Sequence, residues 1–267
     1  MTTSQKFPRV NVLIASYNYE DWVVGSIMSA VNQTYPNLGI IVIDADSKDS
    51  SWKNIVSSFF SAKHERVYPS NEEIRKVKVK NKHGNTVDIT AIKLDKANGP
   101  SATRNFGIDY SIDSCDMYAI LDADDEMTEN KVMRLYREIQ QQPNYIGVAY
   151  GDYTVLNIKT GVMTQEIKES FSKERLLQSN IVHSGSLVTC RALRDIKDEN
   201  GYYDNQLMVA EDWDLWIRIA KKYMILHVPE LLTLVRSSAK DTTNSIAKET
   251  WNRCWKRIGD KVNGTIR

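Results

Sequence analysis

Short, β-branched apolar runs alternate along the first half of this chain with segments whose apolar residues recur every three or four positions. VNVLIASY (10–17) and LGIIVIDA (38–45) have the unbroken apolar character of strands covered on both faces. Between them Val23, Ile27, Ala30 and Val31 fall at helical spacing, and Pro36 closes the segment. VDITAIKL (87–94) and YAILDAD (118–124) predict two more strands, separated by a helix that opens at Gly99 and Pro100 in GPSATRNFGIDYSI. Repeated units of this kind predict an α/β fold with a mostly parallel sheet, and place ligands beyond the carboxyl ends of its strands. Residues 16–18, 44–46 and 122–125 lie at those ends.

The second half has a different rhythm. Thr128 is placed to cap a helix carrying Val132, Leu135, Tyr136 and Ile139 that stops near Pro143, after which IGVAYGDYTVL returns to strand. HSGSLVTCRAL and EDWDLWIRIA bracket a Gly-Tyr-Tyr-Asp turn, the latter a helix with Trp213, Trp216 and Ile217 turned inward. Ile246, Thr250, Trp251, Cys254, Trp255 and Ile258 form an amphipathic stripe, predicting a tail helix that packs back on the body.

With 267 residues, 42% hydrophobic and 26% charged, the chain is long enough for one large core or two joined halves. The 35 Lys and Arg residues offset 34 Asp and Glu, so attraction to a polyanion has to come from a local patch. Cys115, Cys190 and Cys254 are scattered and odd in number, which fits reduced thiols in a cytoplasmic protein rather than a disulfide framework or zinc site. No signal-peptide pattern or run of roughly 20 apolar residues is present, so neither secretion nor a transmembrane segment is expected.

Chemistry concentrates at YAILDADDEM (118–127), where an apolar strand runs into Asp122, Asp124 and Asp125, with Glu126 behind. Crowded carboxylates repel one another and resist desolvation, so a cation or ligand is expected to complete them. A D-x-D arrangement at a strand end suits a hard divalent cation that takes its remaining ligands from water and substrate phosphates. Bridged to a diphosphate, such a cation stabilises the charge that grows as the diphosphate leaves. One acid here would read as a helix cap; four in five positions point to diphosphate chemistry. A calcium-binding EF-hand loop counted from Asp122 would need Gly and Glu where Met127 and Met133 stand. An aspartyl-phosphate phosphatase would follow its acids with small residues, not Glu126 and Met127. GPSATRN lacks the Lys-Ser/Thr ending of a P-loop, and no G-x-G-x-x-G occurs.

The blocks VNVLIASYN, AVNQTYPNLGIIVIDADSKDSS, NGPSATRNFGI, YAILDADDEM and AEDWDLWIRIA, taken together and in order, resemble the family 2 glycosyltransferases over roughly residues 9–236. The resemblance implies a GT-A fold: a Rossmann-like, mostly parallel central sheet flanked by helices, here with a C-terminal amphipathic helix. It implies one catalytic domain over 1–267, with a nucleotide-sugar half (9–126), an acceptor and catalytic-base half (127–236) and a helical tail (237–267). The implied reaction is inverting transfer of a hexose from a nucleoside diphosphate sugar, UDP foremost, to an acceptor hydroxyl, with Mn2+ or Mg2+ as cofactor.

Carried over residue by residue, Tyr17 would lie against the nucleotide base and the backbone of Ala15 would line the same pocket. Asp44 would accept hydrogen bonds from base or ribose. The family commonly has two adjacent aspartates there; this chain has Asp44, Ala45 and Asp46, which leaves the base preference open. Arg104 would sit near the donor, meeting phosphate or an aspartate. Asp122, Ala123 and Asp124 match the D-x-D block, with Asp124 and Asp125 at the metal. Asp212 stands where the family has its catalytic base, with Glu211, Trp213 and His183 on the acceptor side. Each has a plainer reading: Tyr17 as core, 211–214 as a solvated acidic helix start, His183 as a structural histidine. After Arg236 this chain has Ser237 and Ser238 where the family often continues with a histidine, so no further ligand is assigned there.

The acceptor implied is a glycan or polysaccharide. RKVKVKNKHGNTVDITAIKL reads as a hairpin around NKHGN, with Lys76, Lys78, Lys80 and Lys82 alternating with Val77 and Val79 on one face. Lysines two residues apart repeat at about 6–7 Å, near the phosphate spacing of a nucleic acid strand. They also serve simply to guard an edge strand. The polyanion reading raises hydroxymethylated bases in DNA as an alternative acceptor. Two other classes stay open: a nucleotidyltransferase, although IASYNYEDW lacks the expected Gly-rich loop, and a non-catalytic sugar-binding protein, although the carboxylates are kept.

Overall fold

β1 (Val10–Ser16) is the axis of the molecule, pairing in parallel with β2 (Leu38–Asp44) on one side and β5 (Met117–Asp122) on the other. A computed structural model describes residues 7–60, 73–142, 145–237 and 247–264. Register puts Ser16 beside Asp44 and Ala15 beside Asp122, so the ends of three strands share one sheet edge. Beyond β2, β4 (Thr86–Lys93) continues the parallel run and β3 (Glu73–Lys80) closes that side as an antiparallel edge. Beyond β5 come β9 (Leu187–Thr189), β7 (Ile146–Asn157), β10 (Met224–Ser237) and the two-residue β6 (Glu126–Met127), with β8 (Met163–Glu166) attached to β7.

Helices cover both faces because every strand of the parallel half is apolar on both. Leu13, Ile43, Tyr118 and Ile120 pack with α3 (Gly99–Ser111) and α7 (Glu211–Ala220). Val12, Ile14, Val42 and Leu121 pack with α1 (Val23–Val31) and α4 (Lys131–Gln140). Gly107 permits the first of these seams, since a Cβ there would stand 2.5 Å from Leu13. α5 (Lys173–Leu176) and α6 (Cys190–Ile196) flank α7.

β7 and β10 run parallel but out of step. Six residues from Val228 to Thr233 on β10 oppose three from Gly151 to Tyr153 on β7. Pro229 lies inside this bulge, where a missing N–H does no harm.

Several expectations change on contact with the structure. β5 ends at Asp122, not at 124, because its carbonyl turns to accept the Asp125 N–H at 3.1 Å. Thr128 caps nothing: its hydroxyl bonds Asn130 and the Leu232 carbonyl, and α4 starts at Lys131. α2 (Ser51–Phe59), absent from the pattern reading, buries only Ser51 and Ile55. Lys76, Lys78 and Lys80 do form an exposed row on β3, but Lys82 falls in the turn and pairs with Glu129. Pro143, Ser238 and Ile246 lie outside the described residues.

α8 (Lys248–Val262) docks as expected through Cys254 and Ile258, both buried, although Trp255 of the expected stripe is 54% exposed. Ionic contacts reinforce the dock. Lys261 reaches Asp204 at 2.6 Å and Asp214 at 2.9 Å, both carboxylates nearly inaccessible, and Arg257 meets Asp204 at 2.6 Å. Removing one partner from such a buried group strands the rest, at a cost on the order of 3 kcal/mol. Lys261→Ala is expected to lower the Tm by roughly 6–12 °C, read by thermal denaturation; an unchanged melt would show that the tail is not held this way.

Candidate functional site

The carboxylates at the end of β5 are spread around a tight turn and meet different partners. Asp122 receives the Arg104 guanidinium at 2.8 Å and the Ser184 hydroxyl at 3.2 Å. Burial opposes its charge, but Arg104 outweighs burial and holds the carboxyl below its usual range. Ala123 points into the core. Asp125 is buried and accepts the Arg236 N–H at 3.1 Å; burial, then the neighbouring Asp122 and Asp124, push its carboxyl well above the usual range. Arg236 clamps the turn from β10, donating to the Asp124 carbonyl at 2.7 Å and pairing with Glu126, its guanidinium over the Trp22 ring.

Arg104 also carries the turn across to α7. Its second nitrogen meets Glu211 at 2.5 Å, and its plane lies against Tyr203. Asp212 is next in line. Its Oδ2 accepts from the Asn180 amide at 2.8 Å and its Oδ1 from the Trp213 N–H at 2.8 Å. Burial, then Glu211, raise its carboxyl to about 6. Ala210, just before the helix, adopts a left-handed φ of 56°, the kind of local strain that surrounding structure has to hold in place.

Asp122, Asp125, His183 and Asp212 thus line one cavity of ≈ 280 Å³, together with Tyr153, Lys168 and Asn180. The His183 ring stacks on Tyr153 with centroids 4.5 Å apart. Burial, then Lys131, lower its pKa to about 3, so it is neutral. Lys131 is buried behind the acids with its ammonium on Thr233 at 2.7 Å, and burial lowers its pKa to about 8 against the pull of Asp125 and Asp122. Gly185 makes room for both, since a Cβ would stand 3.0 Å from the Lys131 ammonium and 2.9 Å from the His183 ring. Trp213 lies apart, with its indole N–H on the Leu176 carbonyl at 2.6 Å, and lines no part of this cavity.

The remaining predicted residues gather beside the cavity at the ends of β1 and β2. Asp44 is fully buried, its Oδ1 accepting the Ser47 N–H at 3.0 Å, and burial raises its carboxyl. Among the described residues neither its Oδ2 nor the adjoining Ser16 hydroxyl has a protein partner. Asp46 pairs with Lys48 at 2.5 Å from a left-handed backbone, and Asn18 shares that conformation, its backbone N–H donating to the Ser47 hydroxyl and its side-chain Oδ1 accepting the Lys48 N–H. Tyr17 is 46% exposed, so it is not a core residue. Ala15 sits half-buried between Ile43 and Asp122.

Asp124 and Asp125 fit a hard divalent cation. A cation bound there would offset the burial and the repulsion that together keep the Asp125 carboxyl from ionising, and one or two carboxylates suffice where phosphate and water complete the shell. Among the described residues no group of three His, Cys, Asp or Glu side chains forms a metal cluster. Arg236, Lys131, Lys168, Asn180 and Tyr153 were not singled out as site residues from sequence. Arg236 alone carried a signal, its place just before the position where the family often has a histidine.

The comparisons with known proteins bear on the family and the fold. The model of glycosyl transferase family 2 matches residues 11–199. UDP-Glc:alpha-D-GlcNAc-diphosphoundecaprenol beta-1,3-glucosyltransferase WfgD of Escherichia coli is 24% identical over 260 residues, covering 96% of this chain and 88% of that one. A Rickettsia felis protein described as an uncharacterized glycosyltransferase is 26% identical over 236 residues, and the chain spans only 34% of its length. Among solved structures, S. aureus TarS 1-349 superposes with a TM-score of 0.64 at 15% identity, over 94% of this chain and 64% of that one. Mannosyltransferase PcManGT from Pyrobaculum calidifontis, in complex with GDP-Man and Mn2+, gives a TM-score of 0.60 at 12% identity, over 94% and 69%. The shared architecture is the GT-A fold, with a mostly parallel sheet between helices. Since the matched residues run from β1 through β9 and span well over half the length, the chain belongs to glycosyl transferase family 2.

Proposed function

We propose that this chain transfers a hexose from a nucleoside diphosphate sugar, UDP foremost, to a hydroxyl of a saccharide acceptor, with inversion and with Mn2+ or Mg2+. The observation that carries this reading is the Arg104 bridge. It joins the diphosphate-side acid Asp122 to Glu211, the neighbour of Asp212, so that donor and base sides face one cavity. A UDP-sugar donor is supported by the printed activity of WfgD and by the complex of TarS with UDP-GlcNAc.

Asp212 is the base. Held by Asn180 and the Trp213 N–H, it takes the acceptor proton as that oxygen bonds to the anomeric carbon, while the bond from this carbon to the diphosphate breaks on the opposite face. A cation on Asp124 and Asp125 would supply charge stabilisation to the departing diphosphate. Arg236 holds those residues in their turn. The Asp44 Oδ2 and Ser16 hydroxyl, buried and unpartnered by protein, suit a hydrogen-bonding base or ribose, and exposed Tyr17 offers it a face.

The row Lys76, Lys78 and Lys80 keeps hydroxymethylated DNA as a second acceptor reading. Lys78 already faces Asp88 at 3.5 Å and Lys76 lies over Tyr110, which favours a solvated edge instead. Transfer to such DNA that is insensitive to salt, or unchanged when the three become Ser, removes it.

Asp212→Asn is expected to retain donor binding, measured by calorimetry with UDP and Mn2+, and to lose transfer by about 100-fold or more. Asp124→Ala is expected to lose both. Full activity in Asp212→Asn would move the base elsewhere.

Only ionised Asp212 accepts a proton, so kcat/KM is expected to be full above pH about 6 and to fall as pH drops through that value. Glu211→Gln removes a like charge and is expected to shift this limb to lower pH. A profile flat across that range would exclude Asp212 as the titrating base.

A further inference from the structure

We infer that Asn180 binds the hydroxyl next to the attacking one, so that the acceptor is a sugar ring presenting neighbouring hydroxyls. This deepens the glycosyl-transfer reading and rests on it. Asn180 stands in the loop between α5 and β9, and its amide is oriented by Asp212: the Nδ2 donates to Oδ2 at 2.8 Å, and the reverse orientation would set oxygen against carboxylate. That leaves the other amide atom. Asn180 Oδ1 is buried, and among the described residues no protein donor reaches it. Lys168, the nearby cation, meets the Asn180 backbone carbonyl at 3.5 Å instead.

A buried carbonyl oxygen without a donor is unfavourable, and such atoms in native proteins call for an explanation. Asn180 lines the cavity beside Asp212, where the acceptor has to enter for its proton to be taken. The two side chains then act as a fork: Asp212 accepts from the attacking hydroxyl, and Asn180 from the hydroxyl on the adjoining carbon. The rest of the cavity suits a ring. Its volume of ≈ 280 Å³ is that of a small-molecule subsite, and its lining adds Lys168 and Ser184 as further polar partners for a ring's hydroxyls. The hydroxyl of 5-hydroxymethyluracil, whose neighbouring O4 only accepts, would leave the Asn180 oxygen without its donor.

The test uses the full chain with Mn2+ and UDP-glucose, UDP-GlcNAc or GDP-mannose as donor. UDP or GDP release without acceptor is measured first; no release with any donor brings down the glycosyl-transfer reading itself. Given release, methyl hexopyranosides and N-acetylhexosaminides are tried as acceptors, each with its monodeoxy analogues, alongside an oligonucleotide containing 5-hydroxymethyluracil. We expect product with at least one glycoside, and a fall in kcat/KM of about 10- to 100-fold when the hydroxyl beside the attacking one is removed. In Asn180→Ala that penalty is expected to shrink to about twofold. Asn180→Ser, a milder change, gives an intermediate penalty and stands in should the alanine variant fail to fold. A penalty of full size in the folded variants, no product from any glycoside, or transfer confined to the oligonucleotide overturns the inference.

Discussion

The Arg104 guanidinium, 10% exposed between Asp122 and Glu211, is the constraint on which the site depends. A buried cation is tolerated only with charged partners at hydrogen-bond distance, and each carboxylate is tolerated only because the cation is there. The three residues come from α3, β5 and α7, so a single charge network sets how the first half of the chain meets the second. It also divides the labour among the acids. Asp122 is held ionised by Arg104, whereas Asp125 and Asp212, with no such direct partner, have raised carboxyl pKa values.

The two halves use different construction for different ends. Parallel βα crossovers bring the ends of β1, β2 and β5 to one edge, where buried polar atoms such as Asp44 Oδ2 lack a protein partner among the described residues. The later strands extend the same sheet by antiparallel and bulged pairings, and they carry Tyr153 and Arg236 to the opposite side of the acids. Neither half encloses the cavity alone.

Local chemistry explains what was readable beforehand. β1, β2 and the hairpin of β3 and β4 are set by their own periodicity and by a turn around Asn81 and Gly84, so pattern located them. The site aspartates were visible because four acids after an apolar strand violate the usual burial rule. Residues whose meaning depends on distant partners were not visible. Lys131 looks like any surface lysine at a helix start, yet the fold buries it behind Asp125. Asn180 and Tyr153 sit in segments of ordinary composition and gain a role only where β7, β9 and α7 converge. Thr128 shows the reverse failure: a sound local capping signal lost to a hydrogen bond with β10.

The bulge between β7 and β10 carries a consequence for evolvability. Because side chains alternate faces along a strand, an odd surplus of residues inverts the phase of everything downstream. Thr233, which seats the Lys131 ammonium, and Arg236, which braces the acidic turn, both lie beyond that inversion. Descendants of this chain are therefore free to vary the residues of the bulge but not their number by one, since a single insertion or deletion there would rotate both supports to the wrong side of the sheet at once.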